Sequence, residues 1–120
     1  LKLFSTEAHQ EYCGAPNDKI LENFTRLNQL QADGGVPILP RVPLVPGVTT
    51  ERENLTSLAS FLAAEGASRV GIVRYNPLWP SKAAKLGGQV APEVAEATWM
   101  RRADYEQCVA VFKDAGLEIG

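Results

Sequence analysis

The sequence predicts an α/β fold: part of a parallel (β/α) barrel with about three strands, three helices and a short extra strand at one edge. Two observations predict it. Apolar runs alternate along the chain with segments of helical periodicity, which is the pattern of βα units joined by crossovers. The runs are also apolar at successive positions, as expected of parallel strands covered on both faces. The length of 120 residues suits one domain, so 1–120 is interpreted as a single portion of a barrel.

The chain opens on Leu1–Phe4, which is typical of the carboxyl end of an apolar strand. Because residue 1 is Leu rather than Met, we expect the sequence to be part of a longer protein. The first helix is predicted from Asn17 to about Gln31, with Asn17 as its N-cap and Gly34–Gly35 as its stop. Its apolar positions recur at helical spacing and are Ile20, Leu21, Phe24, Leu27 and Leu30.

The second strand is predicted within Val36–Val45, a run in which Arg41 is the only charged residue. Prolines at 37, 40, 43 and 46 interrupt this run, and proline is rare in central strands. Two interpretations compete: a short buried strand at about 38–42 entering a rigid loop, and a polyproline II ligand for an aromatic groove. The helices predicted on both sides favour the strand, because proline-rich ligands usually lie in polar, disordered surroundings.

The second helix follows Thr50 and Glu53, which match a capping box, and it ends at Gly66. The glycosylation sequon at 54–56 falls inside this helix and is therefore discounted. The third strand is predicted over Arg69–Tyr75.

A long loop is predicted from residue 76 to about residue 101, a length typical of lids and partner contacts. We expect Trp79 and Trp99 in it to pack over the strand ends rather than anchor a partner. The last helix is predicted over about Ala103–Ala115, and Leu117–Ile119 is predicted to form the short edge strand.

The composition excludes several classes of protein. Twelve basic and 14 acidic residues give a net charge of −2, so the basic surface of a nucleic-acid-binding protein is missing. No apolar run reaches the roughly 20 residues of a membrane helix, and no signal peptide is present. We therefore expect a soluble, cytoplasmic protein. Cys13 and Cys108 have no metal-ligand spacing, and both are expected to be free, partly buried thiols rather than a disulfide.

Candidate binding residues follow the predicted strands, because ligands of parallel α/β folds bind at the carboxyl ends of strands. They are Lys2, Arg41 and the pair Tyr75–Asn76. A lone arginine in an apolar run is costly to bury without an anion. The alternatives for Arg41 are an ion pair within the scaffold or a side chain reaching the rim. From the residues alone, an unrelated barrel enzyme binding a phosphorylated substrate through Arg41 also remains open.

An ordered set of motifs spans essentially all 120 residues and resembles the C-terminal half of the radical S-adenosylmethionine activating enzymes of glycyl-radical enzymes. Each motif is weak by itself, but the set keeps the family's order and spacing. The motifs are residues 7–14 (EAHQEYCG), 17–23 (NDKILEN), 41–47 (RVPLVPG) with Glu53–Asn54 after it, and 75–78 (YNPL) with Lys82 and Leu86–Gly87.

The resemblance implies a partial (β/α)6 barrel with a [4Fe-4S] cluster on a CxxxCxxC loop, which cleaves S-adenosylmethionine reductively and places a radical on a glycine of the partner enzyme. Lys2 and Arg41 match the family's residues facing the methionyl carboxylate, with Pro43 and Tyr75 as further candidates. Asn76 stands where many members have a histidine near the ribose and adenine; it can hydrogen-bond but carries no charge.

The sequence also departs from the family. It contains no CxxxCxxC motif, and the Asp two residues before the family lysine lies outside it. No catalytic residue and no metal ligand is therefore assigned, and the chain alone is expected to be inactive. The expected partner is a glycyl-radical enzyme docking on the strand-end loops, including 76–101. A module of another class, a half-barrel dimer joined through open sheet edges, is the alternative. His9 is expected at the surface without a catalytic role.

Overall fold

The computed structural model describes residues 1–89 and 98–120. Within these ranges there are five helices and three strands, and the predicted elements occur in the predicted order. Two helices were not predicted: one precedes the first predicted helix, and the other lies inside the predicted 76–101 loop. The elements are α1 (Thr6–Cys13), α2 (Asp18–Ala32), β1 (Arg41–Pro43), α3 (Arg52–Ala64), β2 (Arg69–Val73), α4 (Trp79–Lys85), α5 (Arg102–Asp114) and β3 (Glu118–Ile119).

The three strands form one open parallel sheet in the order β1-β2-β3. Arg41 of β1 is level with Gly71 of β2, and Arg69 is level with Glu118 of β3. The α/β class and the partial-barrel architecture are thereby confirmed. The predicted edge strand is the third strand of this sheet, whereas the predicted first strand at residues 1–4 is not a regular strand.

Strand β1 is shorter and later than the predicted 38–42, and its prolines explain this. The Pro40 carbonyl accepts from the Gly71 nitrogen at 2.8 Å, and the Leu44 nitrogen donates to the Val73 carbonyl at 2.9 Å. Successive residues of a strand point their backbone nitrogens to opposite sides. Because the Leu44 nitrogen faces β2, the ring nitrogen of Pro43 faces away from β2, and the pairing of β1 with β2 needs no donor there. The pairing with β2 favours a strand over the polyproline ligand.

Helix α1 was not predicted from the sequence. The side chain of Ser5 caps α1 by accepting from the Ala8 nitrogen at 3.3 Å, and Gly14 ends the helix with a φ of 78°. With few apolar residues, α1 has no clear hydrophobic periodicity. The surface position expected for His9 is wrong: its ring is buried, with Nδ1 2.6 Å from the Ala15 carbonyl oxygen.

The N-cap residue of α2 is as predicted, whereas that of α3 is not. Asn17 is the N-cap residue of α2, but its side chain makes no cap bond, because its Oδ1 accepts from the Thr6 hydroxyl at 3.0 Å. Glu51 rather than Thr50 is the N-cap residue of α3, and no side chain caps this helix. The Thr50 hydroxyl instead accepts from the Gly47 nitrogen at 3.1 Å. The sequon at 54–56 lies inside α3, as predicted.

The predicted 76–101 loop contains helix α4, and residues 90–97 of it lie outside the described part of the chain. Trp79 is 43% exposed and donates from Nε1 to the Tyr75 hydroxyl at 3.0 Å. Trp99 is exposed, so the expected packing of this residue is not observed. No helix of residues 1–89 and 98–120 is long and apolar enough to cross a membrane.

The hydrophobic core lies on one face of the sheet, between β1 and β2 and the helices α3 and α5. Side chains alternate along β1: Val42 is fully buried, while Arg41 is exposed. The opposite face, here called the open face, therefore carries Arg41 and its register partner Gly71, then Pro43 and its partner Val73. The largest fully buried core side chains are Phe112, Leu44, Leu55, Leu58, Leu62, Val42 and Val70.

Both cysteines are free, as predicted, but only Cys108 is buried. Burial raises the pKa of the Cys108 thiol, and the Asp104 carboxylate adds to the effect. We expect iodoacetamide at pH 8 to label Cys13 in the native protein and Cys108 only on unfolding, as read by peptide mass spectrometry. Labelling in guanidinium chloride is the control, and equal native labelling of both thiols would contradict the structure.

The raised pKa of Cys108 also determines the direction in which the stability of the fold changes with pH. Because the folded state holds the Cys108 proton more tightly than the unfolded state, this thiol's contribution to stability is complete below the ordinary thiol pKa. It is lost as the pH rises from that value through the higher pKa of the folded state.

Candidate functional site

Arg41 lies on the open face at the start of β1, and not near the end of its strand as predicted. Its side chain is exposed, which agrees with the alternative of a side chain reaching the rim. Among the described residues Arg41 forms no ion pair. Its Cγ lies 3.3 Å from the point where a Cβ on Gly71 would stand, so the aliphatic stem crosses the sheet over a glycine. A side chain at position 71 would crowd this stem.

Lys2 lies on the same face as Arg41. The Leu1 nitrogen donates to the Arg41 carbonyl at 2.7 Å, which places residues 1–3 beside β1. In parallel pairing this bond sets Lys2 level with Pro43. Leu3 is buried with the core, whereas Lys2 is exposed, so the two side chains point in opposite directions. Two cationic side chains therefore share the open face on neighbouring segments of the chain.

Two buried or half-buried asparagines hold the segment that carries Lys2. Asn54 donates from Nδ2 to the Lys2 carbonyl at 3.0 Å and accepts at Oδ1 from the Phe4 nitrogen at 2.9 Å. Asn17 donates from Nδ2 to the carbonyls of Leu3 at 3.1 Å and Phe4 at 2.7 Å. Sequence reasoning missed both roles, because they depend on contacts between residues far apart in the chain.

The loop after β1 is held by the hydroxyl of Thr49. This oxygen accepts from the Val45 nitrogen and donates to the Pro43 carbonyl, each at 2.7 Å. Gly47 adopts a φ of 74°, which favours glycine at the turn. Pro43, a further candidate from the sequence, thus fixes the backbone of the site and offers no polar side chain. The hydrogen bonds of Thr49 fix the loop that follows β1, as expected of a rigid loop at this position.

The structure separates the other two candidates. Tyr75 is buried, and its hydroxyl accepts from Trp79, so it packs beneath α4. Asn76 is exposed, and its Oδ1 accepts from the Leu78 nitrogen at 2.9 Å, which leaves the amide hydrogens to face outward. Asn76 is five residues beyond Gly71, the partner of Arg41. At about 3.3 Å per residue that is at most roughly 17 Å along the strand direction.

Arg74, between the sheet and Asn76, has a structural role. Its guanidinium donates to the Met100 carbonyl and lies 5.8 Å from the centre of the Tyr105 ring. These contacts tie the end of β2 to the segment before α5. An arginine stacked on an aromatic ring combines charge–quadrupole attraction with packing.

The residues fit an anion but not a metal cluster. Lys2 and Arg41 offer donors and positive charge on one face, which suits a carboxylate. The described residues contain no group of three or more His, Cys, Asp or Glu side chains able to hold a metal ion. With only two cysteines in the sequence, this chain cannot supply the three thiolate ligands of a CxxxCxxC iron–sulfur cluster.

The fold and the two cations define a portion of an α/β barrel whose open face suits an anionic ligand. No protein-family model matches the chain. The 4-hydroxyphenylacetate decarboxylase activating enzyme of Clostridioides difficile is 26% identical over 117 residues, which are 98% of this chain and 36% of that enzyme. The isethionate sulfite-lyase activating enzyme of Desulfovibrio desulfuricans is 31% identical over 90 residues, covering 75% of this chain and 28% of that enzyme.

A solved domain of pyruvate-formate lyase-activating enzyme from Bacteroides vulgatus superposes with a TM-score of 0.71 at 24% identity, over all of this chain and 62% of that one. This likeness supports the fold. The homologues of the chain are activating enzymes of glycyl-radical enzymes, so the family expected from the sequence is confirmed. The chain spans about a third of the length of the curated relatives it matches.

Proposed function

We propose that this chain is the C-terminal half of the barrel of a radical S-adenosylmethionine activating enzyme. The complete enzyme would cleave S-adenosylmethionine reductively and generate a glycyl radical on a partner enzyme. The observation that carries the proposal is the similarity to activating enzymes along 98% of the chain. The position of the two cations on the open face agrees with it. The proposed location of the protein is the cytoplasm.

In this proposal Lys2 and Arg41 bind the methionyl carboxylate of S-adenosylmethionine. Both side chains are exposed on the open face, and neither has an acidic partner among the described residues. Asn76 would reach the ribose or adenine through its amide hydrogens. The upper limit of roughly 17 Å along the strands between the levels of Arg41 and Asn76 is compatible with an extended ligand that contacts both.

The cluster and the electron for cleavage would come from a part of the enzyme outside these 120 residues. We therefore expect the isolated chain, after anaerobic reconstitution with iron and sulfide, to show no [4Fe-4S] absorption and no cleavage to 5′-deoxyadenosine. The physical reason is the shortage of thiolates in the chain. An intact activating enzyme treated in parallel is the control. A cluster spectrum with turnover by the 120 residues would refute the expected inactivity.

The role of Arg41 is testable in a chimera in which this chain replaces the aligned part of the C. difficile relative. Arg41→Gln removes the charge and the two-pronged donor, so we expect S-adenosylmethionine to bind at least tenfold more weakly, which is about 1.4 kcal/mol. Calorimetry on the reconstituted chimera measures this.

The matched control for this test is Arg101→Gln, because Arg101 is also exposed and pairs locally with Asp104 at 2.8 Å. The affinity of the Arg101 variant for S-adenosylmethionine should not change. If the Arg41 variant and the unchanged chimera bind S-adenosylmethionine with equal affinity, Arg41 does not contribute to the binding site.

The proposed partner is a glycyl-radical enzyme that docks on the strand-end loops, with the 76–101 segment as part of the surface. The described portion of this segment presents Leu78, Trp79 and Leu86 to solvent. Trp99 is exposed at its other end. Aromatic side chains are enriched in the contact surfaces of proteins.

The alternative of a half-barrel dimer has weaker support from the hydrogen bonds. On the outer side of β1, the Arg41 carbonyl is taken by Leu1 and the Pro43 carbonyl by Thr49. Asn17 and Asn54 occupy the backbone groups of residues 2–4. These bonds leave little of the β1 edge for another strand, so edge pairing would have to use β3. The relatives likewise favour the activating enzyme over an unrelated phosphate-binding barrel.

A further inference from the structure

Gly71 lies in the middle of β2, where glycine is an unfavourable residue. It pairs in register with Arg41 of β1, and its nitrogen donates to the Pro40 carbonyl at 2.8 Å, so its backbone belongs to the regular ladder. Glycine weakens the interior of a strand, because it loses more conformational freedom on folding than other residues and has no side chain to pack. The missing side chain at position 71 therefore needs a physical explanation.

The backbone conformation does not explain this glycine. Gly47, at the turn after β1, has a positive φ of 74°, whereas the φ of Gly71 is not positive. An alanine could therefore adopt the conformation of residue 71 without backbone strain. The explanation that remains is the space above the glycine, on the open face of the sheet.

The side chain of Arg41 occupies that space. A Cβ on Gly71 would lie 3.3 Å from the Arg41 Cγ, which is closer than ordinary van der Waals contact. It would also lie 3.6 Å from the Leu39 Cδ2 and 3.7 Å from the Pro40 carbonyl oxygen. Gly71 is buried although it lies on the open face, because these neighbours cover it. The stem of Arg41 therefore leans from β1 across β2 and rests on the glycine.

The direction of this lean concerns both cations of the open face. Residues 1–3 lie on the other side of β1 from β2, so the stem of Arg41 leans away from the segment that carries Lys2. It leans instead toward the strand that leads to Asn76. Neither cation forms an ion pair among the described residues, and like charges repel less when they are farther apart. The lean therefore lowers the repulsion between Lys2 and Arg41.

We propose that Gly71 is a positioning residue: its missing side chain lets Arg41 lie across β2 and so aims the guanidinium at the carboxylate of S-adenosylmethionine. The inference rests on the proposed function, which assigns that carboxylate to Arg41. Gly71 has no side chain of its own to offer and acts only through Arg41. An added methyl group would push the stem away by a few tenths of an ångström or turn it into another rotamer, and the displacement grows along the side chain toward the guanidinium.

The test is Gly71→Ala in the chimera with the C. difficile relative, with the affinity for S-adenosylmethionine measured by calorimetry. We expect binding to weaken by about fivefold or more, because the charged donor is displaced. In a chimera that already carries Arg41→Gln, the same change should alter the affinity by less than about twofold, because the group that Gly71 positions is gone. The melting temperature of the isolated chain should stay the same or rise by up to about 4 °C, since alanine replaces glycine at a compatible φ. A residue with a merely structural role would lower stability and affinity together.

Gly120→Ala is the matched control, because it makes the same substitution at another glycine without a positive φ. A Cβ on Gly120 would lie 3.0 Å from the Leu39 Cδ1, so this variant crowds Leu39 but not Arg41. We expect its affinity for S-adenosylmethionine to stay within about twofold of the unchanged chimera. A loss equal to that of the Gly71 variant would assign the effect to Leu39 and overturn the inference.

Unchanged affinity of the Gly71 variant, or an equal loss with and without Arg41, would also overturn the positioning role. The contact itself is tested without a ligand: nuclear magnetic resonance of the isolated chain should show an Overhauser effect between the Gly71 Hα and Arg41 Hγ protons, and its absence would overturn the inference. A chimera that does not bind S-adenosylmethionine, or that binds it equally well with Arg41→Gln, would instead refute the proposed function and with it the role of Gly71, even where the Overhauser effect is present. The two failures are thereby distinguishable.

Discussion

Phe112→Ala is expected to lower the free energy of unfolding by about 3–5 kcal/mol, the largest loss for a single change in this chain. Phe112 of α5 is 0% exposed and belongs to the core between α5, α3 and the sheet. Its removal leaves a cavity that the packed neighbours cannot fill completely. Urea denaturation followed by circular dichroism measures the change through the midpoint at constant slope.

The control for this prediction is Phe112→Leu, which keeps most of the apolar volume and should cost clearly less. A loss below about 1 kcal/mol for the alanine variant would mean that the core is not packed as described. Since single domains are stable by only about 5–15 kcal/mol, this loss would remove a large share of the stability of the chain.

Asn17→Ala is expected to cost about 2–4 kcal/mol, because it strips the donors from two backbone carbonyls that are shielded from water. Asn17 is 1% exposed, and its amide joins Leu3, Phe4 and the Thr6 hydroxyl. Thermal and urea unfolding give the size of the loss. Asn17→Asp keeps the acceptor toward Thr6 but lacks the donors, so we expect it to be destabilising as well.

Asn23→Ala is the matched control, an exposed asparagine on the same helix, and it should change stability by no more than about 0.5 kcal/mol. Equal stability of the Asn17 and Asn23 variants would contradict the described hydrogen bonds. The effect also concerns the site, because Asn17 fixes the segment that carries Lys2. In the chimera, loss of this bond is expected to weaken S-adenosylmethionine binding without any change in charge.

The order of helices and strands was predictable because it depends on local patterns. The apolar stripe between 17 and 31 predicted α2 to within one residue at each end. The run 103–115 likewise predicted α5, which spans Arg102–Asp114. By contrast, α1 was missed, since a short polar helix is stabilised by its Ser5 cap and its buried His9 rather than by periodicity.

The site was predicted only in part. Lys2 and Arg41 were chosen from their positions on predicted strands and from a motif resemblance, and the structure places both on the open face. The strand that carries Arg41 was predicted to be covered on both faces, whereas among the described residues the core covers only one of them. Arg41 is exposed on the other face, as in the alternative of a side chain reaching the rim. Tyr75, a further candidate from the sequence, is buried, and its hydroxyl accepts from a tryptophan four residues later.

The sequence by itself determined the α/β class, the parallel strand order and the family, because periodicity, glycine stops and ordered motifs are local properties of the chain. Only the tertiary structure decided which asparagines hold Lys2, where β1 begins and which residue lies beneath Arg41. Those features depend on hydrogen bonds between residues up to 52 positions apart and on the packing of one strand against the next. No local pattern encodes such contacts, since each requires both partners to be in place.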